Sequence, residues 1–512
     1  MTHDGSAARN LLAGTITKYI LLAINIGTGI FLMPFTVRHL GKEQYGLWML
    51  VASTTYYFGL LDLGYGNGIV RDIVEADAKG DTPRVNRVVS TFFCVYSLIG
   101  VVACAVCGLL IAFAIPRFPR LSTSDVRTAQ WVLGIVGARI ALGYPMTVFG
   151  AVTNSRQGFV LNNSIAIVLV ALNALVTYVV LTFGGGLIAL VAWTTAASAM
   201  GYGAYAWSAW RMFPELEIRP SYFSRADWRQ VTSFSTYLFV VALGSQISFN
   251  VDNLVVGASL GTAAVAVYAV AARLSEYQRR VCDQFSGMLF PVVVGFGARG
   301  DTVALRAALV DGARVSMLLA AGVTTCLVGF AQPLIVHWMG SGFAGSVMPF
   351  YVLAAVGIVM VSHAAQSNVL LATGGHRTVA AIWIIEGVVN LGLSLLFVRW
   401  IGSTGVALGT LVPMAVGHIG VMTPAACRRA GLPLREFLRA TLPPAIAGTI
   451  PAVLCCAAVR MWAPPASTLG VVVDAAGVGL VYLVAAAAAG LDRPTRELYR
   501  EQVTAACRLV LQ

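Results

Sequence analysis

The chain has 512 residues, of which 58% are hydrophobic and only 11% are charged, and it carries a net charge of +12. Soluble domains contain roughly 45–50% apolar and about 25% charged residues, so this composition excludes an ordinary water-soluble fold and predicts a helical membrane protein. The basic residues lie mainly in short loops between apolar runs and form no Arg-rich tail, which argues against a nucleic-acid partner.

Apolar runs long enough to cross a bilayer as helices, about 20 residues each, recur along the whole chain. The first run is too long for a cleaved signal peptide and is interpreted as a retained span. Residues 68–80 are mildly amphipathic and predict a short helix on the cytoplasmic face. We predict about fourteen transmembrane helices, near residues 13–36, 44–64, 86–114, 128–151, 159–183, 187–210, 231–257, 263–294, 308–334, 347–372, 378–401, 405–426, 436–462 and 468–490.

The lysines and arginines of the loops are distributed unevenly between the two sides of the membrane. With the N-terminus in the cytoplasm, 21 of them fall on the cytoplasmic side and 7 on the opposite side. Because cytoplasmic loops are enriched in Lys and Arg, this split predicts that both termini are cytoplasmic and that the number of spans is even.

An internal repeat predicts the domain organisation. Leu40-Gly41 matches Leu260-Gly261 at an offset of 220 residues, and Ala189-Leu190 matches Ala407-Leu408 at an offset of 218. These offsets equal six predicted spans, and an even number of spans relates the two copies as parallel repeats. The predicted parts are an N-lobe of spans 1–6 (1–212), a cytoplasmic linker (213–230), a C-lobe of spans 7–12 (231–428), a helix pair (429–490) and a cytoplasmic tail (491–512).

A charged stripe in span 8 is the densest group of ionisable residues at predicted membrane depth. Arg273, Glu276, Arg280 and Asp283 are spaced i, i+3, i+7 and i+10, so they share one helical face. Charges inside the membrane are costly and usually face a cavity or a partner. We favour a cavity wall whose guanidinium groups bind a phosphate-bearing substrate; the alternative is an ion network that neutralises itself.

Span 7 carries a second polar face. Gln246, Asn250 and Asn253 lie on one side of the helix, where they can bind hydroxyl groups of a substrate or bond to neighbouring helices. Asp252 points away from that face, and we expect it to pair with a charge on another helix.

Single polar residues in other spans are further candidates for substrate binding or ion coupling. Lys18 and Asn25 share a face of span 1, where Lys18 either binds an anionic head group or extends to the cytoplasmic interface. Arg139 in span 4 is a cavity candidate from the N-lobe. Glu386 in span 11 is expected to pair with a charge or to carry a coupling ion, whereas His363 in span 10 is interpreted as a helix contact.

Sequence signatures of catalysis are absent. The chain has no GxxxxGK[ST], HExxH or GxSxG motif. Its nine cysteines lie in apolar segments, and no Cys/His cluster completes a zinc site. We therefore expect a transporter with no catalytic residues, metal or cofactor, driven by an ion gradient, the membrane potential or consumption of its substrate.

Several short motifs resemble a known family in their order and spacing. They are residues 35–48 (FTVRHLGKEQYGLW), 61–64 (LDLG), 251–257 (VDNLVVG), 371–374 (LATG) and 405–408 (GVAL). Together they resemble the polysaccharide transporters, the O-antigen and exopolysaccharide flippases of the multidrug/oligosaccharidyl-lipid/polysaccharide (MOP) exporter superfamily.

This resemblance implies an all-α membrane fold with two six-helix lobes, a C-terminal helix pair and alternating access. It implies a polyprenyl-pyrophosphate-linked oligosaccharide as substrate, transported across a bacterial inner membrane. The implied partners are membrane lipids and the polysaccharide polymerase or glycosyltransferase machinery.

Three other functions stay open. A cation-coupled multidrug antiporter of the same superfamily would need an unpaired carboxylate in the N-lobe, whereas span 1 offers Lys18. A peptidoglycan lipid-precursor flippase would use similar chemistry to the favoured function. A membrane-embedded glycosyltransferase would need acidic catalytic residues and larger extramembrane loops than this chain has.

Overall fold

The structure, a computed structural model, describes residues 3–62 and 64–490, and every regular element in that part of the chain is a helix. Compact packing divides the chain into two units, Met1–Ala266 and Val267–Gln512. The predicted tail, 491–512, lies outside the described residues. The predicted lobe boundaries stay a prediction, because the compact units group span 7 with the first six spans.

Within the described residues, the first unit contains seven α-helices. Its shortest member, α2, is the short helix predicted between the second and third spans, which is thereby confirmed. These helices are α1 (His3–Tyr56), α2 (Tyr65–Ala78), α3 (Thr82–Leu109), α4 (Thr123–Ser155), α5 (Phe159–Thr182), α6 (Leu187–Met212) and α7 (Arg225–Leu260).

The second unit contains the remaining helices, except that the first residues of α8 belong to the first unit. A π-helical segment, Val416–Met422, joins α13 to α14. The helices are α8 (Thr262–Arg299), α9 (Thr302–Gly329), α10 (Ala331–Met339), α11 (Val347–Ser362), α12 (Ala364–Ala372), α13 (His376–Ala415), α14 (Thr423–Arg429), α15 (Leu434–Trp462) and α16 (Thr468–Ala485).

Ten helical segments in the described residues are long and apolar enough to cross a membrane. The two longest, Ala13–Asp62 and His376–Arg429, have 50 and 54 residues, more than twice the length that one span needs. Large apolar side chains are exposed on the outer faces of such segments, among them Leu454 at 66% and Leu480 at 64%. A multi-pass helical membrane protein is confirmed, and the exact number of fourteen spans stays a prediction.

Glycines with positive φ interrupt the two longest helical segments. Gly41 (φ 80°, ψ 165°) breaks α1, and Gly402 (φ 61°, ψ −141°) breaks α13. Residues with a Cβ rarely adopt these angles, so glycine permits the chain to turn there. Gly261, the predicted repeat partner of Gly41, has nearly the same angles (φ 91°, ψ 173°) and separates α7 from α8. The two copies of the predicted repeat thus share a backbone turn.

The segment between α6 and α7, predicted to be a linker, is bound along the first unit. Asn86 of α3 donates to the carbonyl of Glu215 at 3.0 Å and accepts from the amide of Glu217 at 3.1 Å. Arg87 pairs with Asp227, at the start of α7, at 3.1 Å. These bonds hold the segment against the first turns of α3.

Helices α9, α15 and α16 form a compact core in the second unit. Tyr482 of α16 is 2% exposed, and its hydroxyl donates to the carbonyl of Leu318 at 2.9 Å. Gly322 and Gly448 lie against the two edges of its ring, where an added Cβ would come within 2.9 Å. The small residues therefore allow the three helices to approach closely, as is common in membrane proteins.

Candidate functional site

The charged stripe on α8 is an ion triad. One guanidinium nitrogen of Arg273 lies 2.7 Å from one carboxylate oxygen of Glu276, and a nitrogen of Arg280 lies 2.6 Å from the other oxygen. The side chains are 28%, 27% and 47% exposed, respectively. The triad carries one net positive charge, and it combines the two interpretations drawn from the sequence: the charges pair, yet they remain accessible.

The opposite face of α8 fixes the direction in which the triad points. Gln278 is 1% exposed, and its amide donates to Thr324 of α9 at 2.6 Å and to the carbonyl of Ala354 of α11 at 3.1 Å. Ser275 donates to the carbonyl of Leu353 at 2.9 Å. Because one face of the helix is bonded to two neighbours, the face that carries the triad is held away from them.

Two further charges of α8 complete this region. Arg279 donates to the hydroxyl of Ser275 at 3.1 Å, so it bends back along its own helix. The side chain of Asp283 lies outside the described residues.

A guanidinium has five N–H donors, so Arg273 and Arg280 can bind a phosphate oxygen while remaining paired with Glu276.

The polar face predicted on α7 is present, but its amides serve helix contacts. Asn250 donates to Gln246 one turn earlier at 2.5 Å. Asn253 is 8% exposed and donates to the hydroxyl of Ser53 of α1 at 2.8 Å. Asp252 is 4% exposed and interacts electrostatically with Tyr57. This face therefore packs toward the end of α1 within the first unit.

The candidates on α1 and α4 lie apart from that face. Lys18 is exposed, Asn25 donates to the carbonyl of Leu21 in its own helix at 2.9 Å, and Arg139 is half-buried beside Tyr202. Among the described side chains, no hydrogen bond or ion pair joins Lys18 or Arg139 to the amides of α7.

A cavity in the first unit with several polar residues on its wall was not found from the sequence. It measures about 510 Å³ and lies between α2, α4, α5 and α6. Asn154 and Asn162 are hydrogen-bonded to each other at 2.7 Å on its wall, and Tyr202 and Tyr205 face the same space. Amides and phenols can bind hydroxyl groups, but these residues come from different helices, so no local pattern reveals them.

Glu386 lies in a different environment from the α8 triad. It is 2% exposed, and one carboxylate oxygen is 3.5 Å from Nε2 of His418, in the π-helical segment. The ring of His418 packs against His363, with ring centroids 5.5 Å apart. His418 was not predicted, because a single histidine in an apolar run carries no periodic signal.

Within residues 3–62 and 64–490, no group of three or more His, Cys, Asp or Glu side chains is arranged to hold a metal ion.

Comparisons with known proteins give the family and the fold. Residues 11–296, more than half of the chain, match the family described as polysaccharide biosynthesis protein. The "Uncharacterized membrane protein EpsK" of Bacillus subtilis (strain 168) is 22% identical over 465 residues, which cover 86% of this chain and 88% of EpsK. The "Probable multidrug resistance protein NorM" of Rhizobium meliloti (strain 1021) is 27% identical over 322 residues, 58% of this chain and 62% of NorM.

Solved structures of transporters have the same fold. The lipid II flippase MurJ in an inward closed conformation matches with a TM-score of 0.71 at 14% identity, covering 96% of this chain and 100% of that one. An inward-facing multidrug resistance transporter of the MATE family, in the MOP superfamily, matches with a TM-score of 0.68 at 16% identity, covering 83% and 99%. The chain therefore belongs to the polysaccharide biosynthesis protein family and has the fold of MOP-superfamily transporters.

Proposed function

We propose that this protein is a flippase that moves a polyprenyl-pyrophosphate-linked oligosaccharide across the bacterial inner membrane by alternating access. The family match and the EpsK relative support a role in polysaccharide biosynthesis. The MurJ fold match supports a transporter architecture. In this proposal both termini are cytoplasmic, and the polysaccharide polymerase or glycosyltransferase machinery is the partner.

The observation that carries the proposal is the Arg273–Glu276–Arg280 triad. Its net charge is positive, so it attracts an anion, and guanidinium groups bind phosphate oxygens with paired hydrogen bonds. Glu276 holds both guanidinium groups in place, which limits the side-chain entropy lost on binding. A pyrophosphate is the anionic part of the proposed substrate.

The remaining predicted residues are given secondary roles. Lys18 and Arg139 are proposed as cationic contacts in the first unit. Gln246, Asn250 and Asn253 are proposed to bind sugar hydroxyls in a conformation that exchanges their present helix contacts. Asp252 and Asp283 are proposed to balance charge.

Two alternatives each have one observation in their favour. The NorM relative favours a cation-coupled multidrug antiporter, for which a net positive triad is a poor cation site. The MurJ match favours a peptidoglycan lipid-precursor flippase. Efflux of organic cations by reconstituted protein would support the first, and loss of viability on gene deletion would support the second.

Substitution of the triad tests the proposed function. In Arg273→Ala and Arg280→Ala, loss of a charge-assisted contact worth about 1.5–3 kcal/mol should reduce glycan export by about tenfold or more. Lipid-linked oligosaccharide should then accumulate on the cytoplasmic side. The measurement is the amount of this lipid accessible on each side of inner-membrane vesicles.

The matched control is Arg299→Ala, on the same helix but in its exposed last turn, where Arg299 donates to the carbonyl of Gly295. It should export normally. Normal export by both triad variants, at wild-type protein levels, would contradict the assignment of this site.

A further inference from the structure

Three ionisable side chains meet inside the second unit, where they are buried from solvent. Glu386 is 2%, His418 3% and His363 7% exposed. They come from three places in the chain: α13, the π-helical segment Val416–Met422, and the junction of α11 with α12. We call these three residues the Glu–His cluster.

Among the described residues, Glu386 has one charge contact, with His418. Its Oε2 lies 3.5 Å from Nε2 of His418, and among the described residues neither carboxylate oxygen nor either ring nitrogen of His418 has a hydrogen-bond partner. The ring of His418 also packs against His363 and against Trp383, the latter at a centroid distance of 5.6 Å. His363 instead bonds to the carbonyl of Val359 through Nδ1.

The helices that form the cluster, α11 to α14, supply no second carboxylate. Glu386 is the only acidic residue of α11–α14. The arginines of α9 pair with Glu436 and Asp311, and Arg429 donates to the carbonyl of Thr373. The other titratable or charged side chains on the elements packed around the cluster are Tyr268, Arg273, Glu276, Tyr277, Arg279, Arg280, Cys282, Asp283 and Arg299 on α8, Arg306, Asp311, Arg314 and Cys326 on α9, Tyr351 on α11, His376, Arg377 and Arg399 on α13, and Cys427, Arg428 and Arg429 on α14.

The backbone next to the cluster is adapted to bring the two partners together. Gly417 lies directly against Glu386, and a Cβ at Gly417 would collide with Oε1. His418 follows it in a π-helical segment, and such segments occur frequently at functional sites. Glu386 and Gly417 also line a cavity of about 550 Å³ whose walls are mostly apolar and which Arg377 lines as well.

A buried carboxylate without a hydrogen bond is costly unless a proton or a positive charge neutralises it. A single proton can satisfy both partners: on Glu386 it leaves two neutral groups, and on His418 it forms an ion pair across the 3.5 Å contact. When that proton leaves, an uncompensated negative charge remains in an apolar cavity, which favours a conformation that admits water. The cluster therefore links proton occupancy to the packing of α13 against the π-helical segment.

We propose that the Glu–His cluster is a proton-binding site, with Glu386 and His418 sharing the proton and His363 packed behind them, and that its proton couples a pH gradient to transport. The coupling rests on the proposed function, whereas proton binding does not. Proton uptake forms one O–H or N–H bond and needs no other reactant.

Trp383 provides a probe of protonation in the intact protein. The fluorescence of the wild type minus that of Trp383→Phe isolates this tryptophan, which contacts His418. Scanned between about pH 4 and about pH 9, the difference signal should change with a single midpoint. In Glu386→Gln and in His418→Gln the change should disappear or move, while His337→Gln, whose exposed ring bonds to the carbonyl of Pro465, should titrate as the wild type does.

Two results would overturn proton binding. One is a difference signal that does not vary with pH, or that varies identically in the wild type, Glu386→Gln and His418→Gln. The other is a signal that ignores pH but responds to replacement of choline chloride by sodium chloride, which would make the site a sodium site.

The coupling is tested by glycan export in cells whose pH gradient is collapsed with a K⁺/H⁺-exchanging ionophore. Wild-type export should fall at least about tenfold, and Glu386→Gln should show that loss without the ionophore. Normal export by Glu386→Gln, together with lost export in Arg273→Ala, would overturn the coupling while supporting the flippase function. Normal export in both triad variants, with the Trp383 titration intact, would instead contradict the proposed function while still supporting the proton-binding site.

Discussion

The α8 triad and the Glu–His cluster both place ionisable groups on helices of the second unit, but they limit the cost of charge in different ways. The triad belongs to one helix, has two contacts of 2.6 and 2.7 Å, and stays partly exposed. The cluster joins three chain segments, has one contact of 3.5 Å, and is less than 8% exposed. The difference indicates that the triad is suited to attract an external anion, whereas the cluster is suited to respond to a proton.

The two sites should differ most in the stability lost when one partner is removed from each. His418→Gln leaves Glu386 buried without its imidazole, and breaking a buried pair costs about 3–5 kcal/mol. Arg280→Ala breaks a partly exposed pair, which costs less than about 1 kcal/mol. The free energy of unfolding, measured by denaturant titration in detergent micelles, should therefore fall much further in His418→Gln.

The pH dependence of this loss identifies its cause. In acid, a proton on Glu386 removes the uncompensated charge, so His418→Gln should be less destabilising there than in neutral solution, where the wild type keeps the shared proton. His337→Gln serves as the control for loss of an exposed histidine. Equal losses at both pH values would mean that packing, and not charge, stabilises the cluster.

A smaller loss of stability is expected from a substitution at a glycine beside the cluster. Gly417→Ala places a methyl group against the carboxylate of Glu386, and overpacking of this kind typically costs about 1–3 kcal/mol. Gly420→Ala, in the same π-helical segment, has nothing within 4 Å of the added Cβ and should be neutral or slightly stabilising. Thermal unfolding of the two purified variants would compare them, and equal melting temperatures would contradict the described packing of Gly417.

The smallest contribution to stability is expected from the ion pairs within the triad. Pairs of opposite charge at i, i+3 or i, i+4 on a helix typically contribute about 0.2–0.5 kcal/mol. A double-mutant cycle of Arg273→Ala and Glu276→Ala should therefore give a coupling energy of unfolding of about 0.3 kcal/mol. A coupling of several kcal/mol would show that the triad is a buried structural network and would weaken its assignment to substrate.

Much of the local structure follows from the sequence. The predicted spans near 159–183, 187–210 and 436–462 agree closely with α5, α6 and α15, because apolar composition and length decide where a helix can cross a bilayer. The short helix α2 also agrees with its prediction. By contrast, the packing of α7 with the first unit depends on contacts such as Asn253 with Ser53, which no pattern along the chain encodes.

The sequence by itself determined the helical membrane class and the shared face of Arg273, Glu276 and Arg280, since one helical period orders residues that are close along the chain. Tertiary structure alone decided that these charges pair around Glu276 while staying accessible. It alone joined Glu386 to His418 and His363, which lie 32 and 23 residues away along the chain. Those neighbours depend on a helix broken at Gly402 and on the close approach that Gly417 permits, and both are properties of packed helices in three dimensions.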